Sequence, residues 1–347
     1  MRIAVLSVLM ALGGSAVDRR SSLADTLLRP TTRLQAETLG FSRRAKTRNT
    51  NPRPTRRVQR GLAPTSGLNV PHGTRTPLAL ESAGTRDKKE LTVGLIQCRT
   101  SSKDCGLPRG VRTARKNAFQ AFLHVLRTHP EVDVLLAPEW FLVKSQGIYS
   151  KQEMKQMRVA LERETQGRSV LAIPGTTAWS DGKRYRNTAM VVGNGKTLLQ
   201  YNKQNPTASR IYDSDRDFLK QFNIQGIIGK KPGTFAWGGL KVGLEICADH
   251  AVNSLAQRTA KTGQRLDLQL VVSCGLHLKP EMYPESVAVH DKGSMVLCDG
   301  LFQDSRALKF LGAPPAATDC RISRKTATGF SGISLMTVKI PIDRQEE

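Results

Sequence analysis

The sequence predicts a layered α/β domain, and three observations support this. From about residue 89, apolar strand patterns alternate with amphipathic helix patterns; a strand-rich stretch follows, and then the alternation resumes. The first strand covers 91–98. The next helix places Val111, Ala118 and Val125 on one face. With 347 residues, the chain is long enough for one large domain or two small ones.

The remaining elements can be placed in chain order. The apolar run 132–137 is typical of a strand buried on both faces, and Pro138 closes it. The Gly-Asn-Gly sequence at 193–195 predicts a hairpin turn. The other predicted elements are a helix over 151–166, strands at 170–173, 188–192, 197–201 and 240–246, a helix near 251–262, and strands at 268–273 and 294–298.

Composition excludes several protein classes. Hydrophobic residues make up 39% of the chain, which is ordinary for a globular protein and unlike a collagen, a coiled coil or a wholly disordered chain. Six cysteines are too few for a disulfide scaffold, and they favour a reducing, cytosol-like place of action. No apolar stretch reaches about 18 residues, so we expect no membrane-spanning helix.

The net charge of +24 is unevenly distributed. Residues 1–90 carry 17 basic and 6 acidic side chains, and residues 38–80 carry nine basic and none acidic. Such a segment buries too little apolar surface to offset the entropy of ordering, so a disordered basic leader is predicted over 18–88, before a domain at 89–342. Residues 1–17 resemble a short secretory signal, with the absence of any targeting role as the alternative.

Three functions remain open for the basic leader: an organelle transit segment, a secretion address of an exported effector, and an electrostatic anchor for nucleic acid or anionic lipid. Phe41 is the only aromatic residue between 17 and 90. Nucleic-acid recognition usually needs a fold motif or interleaved aromatic residues, so nucleic acid is not the expected partner.

Three polar residues follow predicted strands and are candidate catalytic groups. Glu139 comes directly after Pro138, Lys203 follows a short strand, and Cys247 ends another apolar strand. Loops at strand ends commonly carry catalytic residues. Each residue alone also has an ordinary explanation, as a solvated loop side chain or, for the cysteine, as a small buried hydrophobe.

Together and in this order, the three residues resemble the motifs of the carbon–nitrogen hydrolase (nitrilase) superfamily, amidase-like branch. The matching segments are Ala137-Pro-Glu-Trp140, Asn187-Thr-Ala-Met-Val-Val-Gly193, Tyr201-Asn-Lys203 and Gly243-Leu-Glu-Ile-Cys-Ala-Asp249. The resemblance covers about residues 91–300. It implies a four-layer α-β-β-α sandwich, in which two sheets bury each other and helices cover both outer faces.

The resemblance also implies a chemistry and a set of site residues. Cys247 would attack the substrate, Glu139 would act as general base, and Lys203 with the Ala248 backbone N–H would stabilise the tetrahedral anion. The expected substrate is a small linear amide, with a nitrile, an N-carbamoyl compound or a protein side-chain amide as alternatives. No metal or organic cofactor is required, and a homo-oligomer is expected. Four further residues are expected to line the pocket or supply a second acid: Trp140, Asp249, His250 and Asp215.

The rival hypothesis is a non-catalytic interaction protein that uses the same fold and a basic N-terminal tail. A fast-reacting Cys247 with a lowered pKa would favour the enzyme. His277, His290, Cys274 and Cys298 lack the paired spacing of a metal site, so they are interpreted as core cysteines and surface histidines.

Overall fold

The computed structural model describes residues 88–100, 117–144, 147–205, 225–301, 304–312 and 317–343. The predicted signal segment 1–17 and all but the last residue of the predicted leader 18–88 lie outside these ranges. Asp215 and the first residues of the first predicted helix, including Val111, also lie outside them.

Five α-helices occur in the described ranges: α1 (Ala118–Thr128), α2 (Lys151–Thr165), α3 (Ala248–Ala251), α4 (Ser254–Thr262) and α5 (Tyr283–Ser286). The strands there are β1 (Glu90–Gln97), β2 (Val134–Leu136), β3 (Tyr149–Ser150), β4 (Leu171–Ile173), β5 (Thr176–Ser180), β6 (Arg184–Gly193), β7 (Lys196–Asn202), β8 (Gln225–Gly226), β9 (Thr234–Trp237), β10 (Leu240–Ile246), β11 (Leu266–Ser273), β12 (Val289–Asp299), β13 (Arg306–Phe310), β14 (Ala317–Asp319), β15 (Ile322–Ala327) and β16 (Ser334–Pro341).

The strands form two sheets. The first has the order β15-β16-β1-β2-β4-β6-β5-β3, with β7 and β8 also paired to β6. The second has the order β14-β13-β12-β11-β10-β9. Each sheet contains a parallel triplet, β1-β2-β4 in the first and β10-β11-β12 in the second. The carboxyl ends of the strands in each triplet therefore lie at one edge of their sheet.

The alternation of side chains along the strands shows how the sheets and helices are layered. Alternate residues of both parallel triplets, such as Leu95, Leu136 and Leu270, share one core between the two sheets. The intervening residues face outward, against α1 and α2 on the first sheet and against α4 and α5 on the second. Because both faces of each triplet are buried, the predicted four-layer α-β-β-α sandwich is confirmed.

Local sequence signals account for several elements. A capping box between Ser150 and Glu153 begins α2 at Lys151, where the predicted helix begins, and α2 ends one residue before the predicted end. The predicted hairpin joins β6 to β7 through Asn194 and Gly195, both at positive φ, as a two-residue turn requires. The predicted helix 251–262 is interrupted because Asn253 adopts a left-handed conformation, with φ 58°, between α3 and α4.

The sequence-based prediction omitted the strands after residue 299. β15 is an edge strand whose side chains are mostly exposed, so it lacks a strong apolar pattern. β16 does carry an apolar pattern, and it pairs antiparallel with the whole length of β1. None of the helices in the described ranges has both the length and the apolar character that crossing a bilayer requires.

Candidate functional site

The loops after β2 and β10 meet at the end of β11. The Glu139 backbone N–H donates to the carbonyl of Ser273 at 3.2 Å. The Cys247 backbone N–H donates to the carbonyl of Val272, the residue before Ser273, at 3.0 Å. One strand end therefore anchors two candidate catalytic residues that are far apart in the sequence.

Lys203 reaches the same place from the end of β7. Its Nζ lies 2.9 Å from Oε1 of Glu139, and the Asn187 side chain donates to that same oxygen at 2.9 Å. Glu139 is 1% exposed and Lys203 is 6% exposed. Removing two charges from water is unfavourable unless both find partners, so a buried pair of this kind marks a specialised site.

Cys247 lies within the electrostatic influence of both charges. Burial, and then the negative charge of Glu139, raise the pKa of the Cys247 thiol to about 12. Three groups lower this pKa but do not outweigh the first two effects: the Lys203 charge, the Cys274 backbone N–H and the Ser273 hydroxyl. The structure therefore does not give Cys247 the lowered pKa that would favour the enzyme over an interaction protein; the resting thiol is neutral and needs a base to become a nucleophile.

The turn at Cys247 is strained. Its φ of 43° and ψ of −98° lie outside the regions that residues with a Cβ ordinarily adopt. Cys247 joins β10 directly to α3, which begins at Ala248. The Ala248 N–H, on the first residue of that helix, has no intrahelical acceptor and directly follows the thiol-bearing residue.

Trp140 forms part of an apolar wall beside Glu139. Its ring is 1% exposed and belongs to a buried cluster with four other residues: Val143, Ala178, Tyr185 and Cys274. Its φ of 62° is unusual for a bulky residue, and its backbone N–H donates to the Thr176 hydroxyl at 3.0 Å.

Asp249 fastens the loop that follows Lys203. Its carboxylate accepts hydrogen bonds from the Tyr201 hydroxyl, the Gln204 backbone N–H, and both the backbone and the side chain of Asn205. Asp249 is fully buried. Asp249, which was expected at the substrate pocket, is therefore hydrogen-bonded directly to the segment that carries Lys203.

His250 lies in the outer layer of the second sheet. Its Nδ1 is 2.8 Å from Oε2 of Glu245, and the Gln269 side chain contacts the same two groups. These contacts do not support the expectation that His250 lines the substrate pocket.

His290, predicted at the surface, is also buried, with its Nε2 3.3 Å from Asp267. His277 is exposed and Cys274 and Cys298 are buried, as predicted.

The sequence-based prediction missed several residues of this region. Ser273 ends the buried strand β11 and Cys274 follows it, which is the same signal that identified Cys247. Asn187 begins a segment that the resemblance had already matched. Glu245 and Gln269 carried a usable signal of another kind, because each is a polar residue between two apolar residues of a buried strand.

Comparison with known proteins found structural similarity only. No protein family model matches the sequence, and no curated protein matches it. An amidase from Nesterenkonia sp. matches 72% of this chain and 90% of its own, at 15% identity and a TM-score of 0.47. Saccharomyces cerevisiae Nit3, a member of branch 10 of the nitrilase superfamily, matches 73% of this chain and 91% of its own, at 16% identity and a TM-score of 0.45. Values this low describe a similarity of fold and not of activity.

Proposed function

We propose that this protein is a cysteine-dependent carbon–nitrogen hydrolase that cleaves a small linear amide. The observation that carries the proposal is the buried Lys203–Glu139 ion pair, whose two charges both act on the Cys247 thiol. Three separate loops supply these residues, and the end of β11 holds two of them in place.

The first step needs a base because the resting thiol is neutral. Glu139 takes the thiol proton while Cys247 Sγ forms a bond to the amide carbon, and the carbonyl oxygen receives the electron pair. The raised thiol pKa supports this order of steps, since a free thiolate would be scarce at neutral pH. A proton transfer of this kind contributes about 10²–10⁴-fold to the rate.

The tetrahedral anion requires donors that are already in place. Lys203 supplies a buried ammonium, and Ala248 supplies the backbone N–H next to the nucleophile. Fixed donors in a water-poor site stabilise developing charge strongly, and removal of one typically lowers kcat by about 10²–10³-fold. Asp249 supports this arrangement by holding the segment after Lys203.

The cycle closes by hydrolysis. The protonated Glu139 gives its proton to the leaving nitrogen, the carbon–nitrogen bond breaks, and the acyl group remains as a thioester on Cys247. Glu139 then takes a proton from water, the hydroxide attacks the thioester, and the carbon–sulfur bond breaks to release the acid. The proton returns to the thiol, so the enzyme is regenerated.

Ammonia release from a panel of small amides, nitriles, N-carbamoyl compounds and glutamine- or asparagine-containing peptides tests the proposal. We expect release with at least one amide, no release with Cys247→Ala, and unchanged release with Cys320→Ala, which removes a cysteine outside these loops. Release only from nitriles or only from N-carbamoyl compounds would assign the alternative substrate. Silence across the panel, together with alkylation of Cys247 no faster than that of Cys98, would instead favour the interaction protein with its basic tail.

The other expectations from the sequence remain predictions. They are the homo-oligomeric state, the reducing place of action, the targeting role of residues 1–17, and the role of Asp215 as a second acid. The panel does not depend on any of them, since ammonia release and its loss in Cys247→Ala are measured on the full chain.

A further inference from the structure

The strained turn at Cys247 must be held by its surroundings. A residue with a Cβ keeps a φ of 43° only where neighbouring contacts over-determine the backbone. On the strand side, the Cys247 N–H bonds to Val272 of β11. On the helix side, its carbonyl accepts from the N–H groups of His250 at 2.9 Å and Ala251 at 3.2 Å.

A side-chain contact closes across this turn. Glu245, two residues before Cys247, meets His250, three residues after it, at 2.8 Å. The other oxygen of Glu245 accepts the Leu255 N–H at 2.8 Å, in the first turn of α4. The carboxylate therefore connects the strand before the nucleophile to both helices after it.

Gln269 fixes that carboxylate from the adjacent strand. Its side-chain nitrogen donates to Glu245 at 2.9 Å and to the Ser286 carbonyl at 3.1 Å, while its oxygen accepts the Ala288 N–H at 2.8 Å. Glu245, His250 and Gln269 are each at most 1% exposed. Every side-chain polar atom of Glu245 and Gln269 has a hydrogen-bond partner, so these two residues hold each other in one geometry.

The contacts also define how the imidazole is held. Glu245 Oε2 is an acceptor, so the Nδ1 that faces it carries a proton and donates. The Nε2 atom has no hydrogen-bond partner among the described residues. The Nδ1–H donor is therefore the hydrogen-bonding group through which this ring acts on the turn.

We propose that the Glu245–His250 pair is a positioning device for the nucleophile, which holds the Cys247 turn so that the thiol and the Ala248 N–H face the reacting carbonyl. The proposal deepens the proposed function and rests on it for the turnover measurements. Neither residue is assigned contact with the substrate.

The test compares two variants of His250 with a matched control. His250→Leu removes the Nδ1–H donor, whereas His250→Asn keeps an N–H donor at nearly the same place. His290→Leu is the control: His290 forms a similar buried pair with Asp267, a carboxylate that also accepts a backbone N–H, from Lys241. Asp267 is the second residue of β11, six residues before Ser273, so this pair lies about 20 Å along the strand from the site.

Iodoacetamide alkylation of Cys247, kcat, KM and the melting temperature are measured for each variant. We expect His250→Leu to lower both alkylation rate and kcat about tenfold or more with little change in KM, because small misplacements of reacting groups reduce rates steeply. His250→Asn should recover most of both rates. His290→Leu should lower the melting temperature about as much as His250→Leu does. Its alkylation rate and kcat should stay within about twofold of the parent, since it leaves the reacting groups in place.

Two results overturn the proposal: rates in His250→Leu equal to the parent, or equal losses in His250→Leu and His290→Leu at matched stability. If His250→Leu does not fold, Glu245→Gln replaces it, because it keeps the shape but removes the anionic acceptor; unchanged alkylation there is equally decisive. Alkylation needs no substrate. A parent that turns over no amide while His250→Leu still slows alkylation would therefore count against the proposed function alone.

Discussion

The Lys203 ammonium lies 2.9 Å from the Glu139 carboxylate, with both side chains more than nine-tenths buried. The two residues come from the ends of β7 and β2, and Asn187 donates to the same carboxylate oxygen. A buried ion pair is rarely retained for stability alone. Its position beside the Cys247 thiol makes each member separately testable.

Replacing Glu139 by Gln should separate catalysis from thiol ionisation. Turnover is expected to fall about 10²–10⁴-fold because the general base is lost. The pKa of Cys247 should fall below its present value of about 12, because the Glu139 charge helps to raise it and Lys203 then acts unopposed. Thiolate absorbance followed against pH, with Cys247→Ala as blank, measures this shift. A thiol that titrates at the same or a higher pH would contradict the assignment.

Replacing Lys203 by Met should damage both stability and activity. The Glu139 charge would be left buried without its cation, which costs about 3–5 kcal/mol of unfolding free energy. Activity should fall about 10²–10³-fold with the loss of an oxyanion donor. The double variant Lys203→Met/Glu139→Gln should regain most of the stability in urea unfolding but none of the activity. Parallel recovery of both would argue against a catalytic role.

Replacing Asp249 by Asn should loosen the segment that carries Lys203. One acceptor oxygen becomes a donor that faces other donors, which costs about 1–3 kcal/mol. We expect kcat to fall about tenfold because Lys203 is displaced. Tyr201→Phe is the control, since it removes a single hydrogen bond to the same carboxylate and should cost only about 0.5–1.5 kcal/mol. Unchanged kcat in Asp249→Asn would show that Asp249 does not position Lys203.

A pair of glycine substitutions tests the position of the Glu139 loop. Gly175 and Gly167 have nearly equal φ values, 68° and 70°, so alanine strains the backbone at both by about 1–2 kcal/mol. A Cβ at Gly175 would lie 2.0 Å from the Pro138 carbonyl, next to Glu139, whereas a Cβ at Gly167 meets nothing within 4 Å. Gly175→Ala alone should therefore lower kcat, by about tenfold or more. Equal kcat in both variants would show that the loop tolerates displacement.

Local signals in the sequence were sufficient for much of the fold. The capping box at Ser150 and Glu153 and the turn at Asn194 and Gly195 depend only on residues within a few positions of each other. The buried strands β2, β10 and β11 were identified because short apolar runs rich in Val, Leu and Ile are typical of strands buried on both faces. Asn253, in contrast, interrupts a predicted helix through one left-handed residue that no periodicity identifies.

The sequence by itself determined the α/β layering and the order of the three candidate catalytic residues along the chain. Only the tertiary structure decided that Lys203 pairs with Glu139 and that Asp249 and His250, neighbours in one short helix, bond to different parts of the protein. It also decided the direction of the Cys247 pKa shift. The physical reason is range: helix and strand patterns arise from neighbouring residues, whereas burial and charge at a site are produced by segments that only folding brings together.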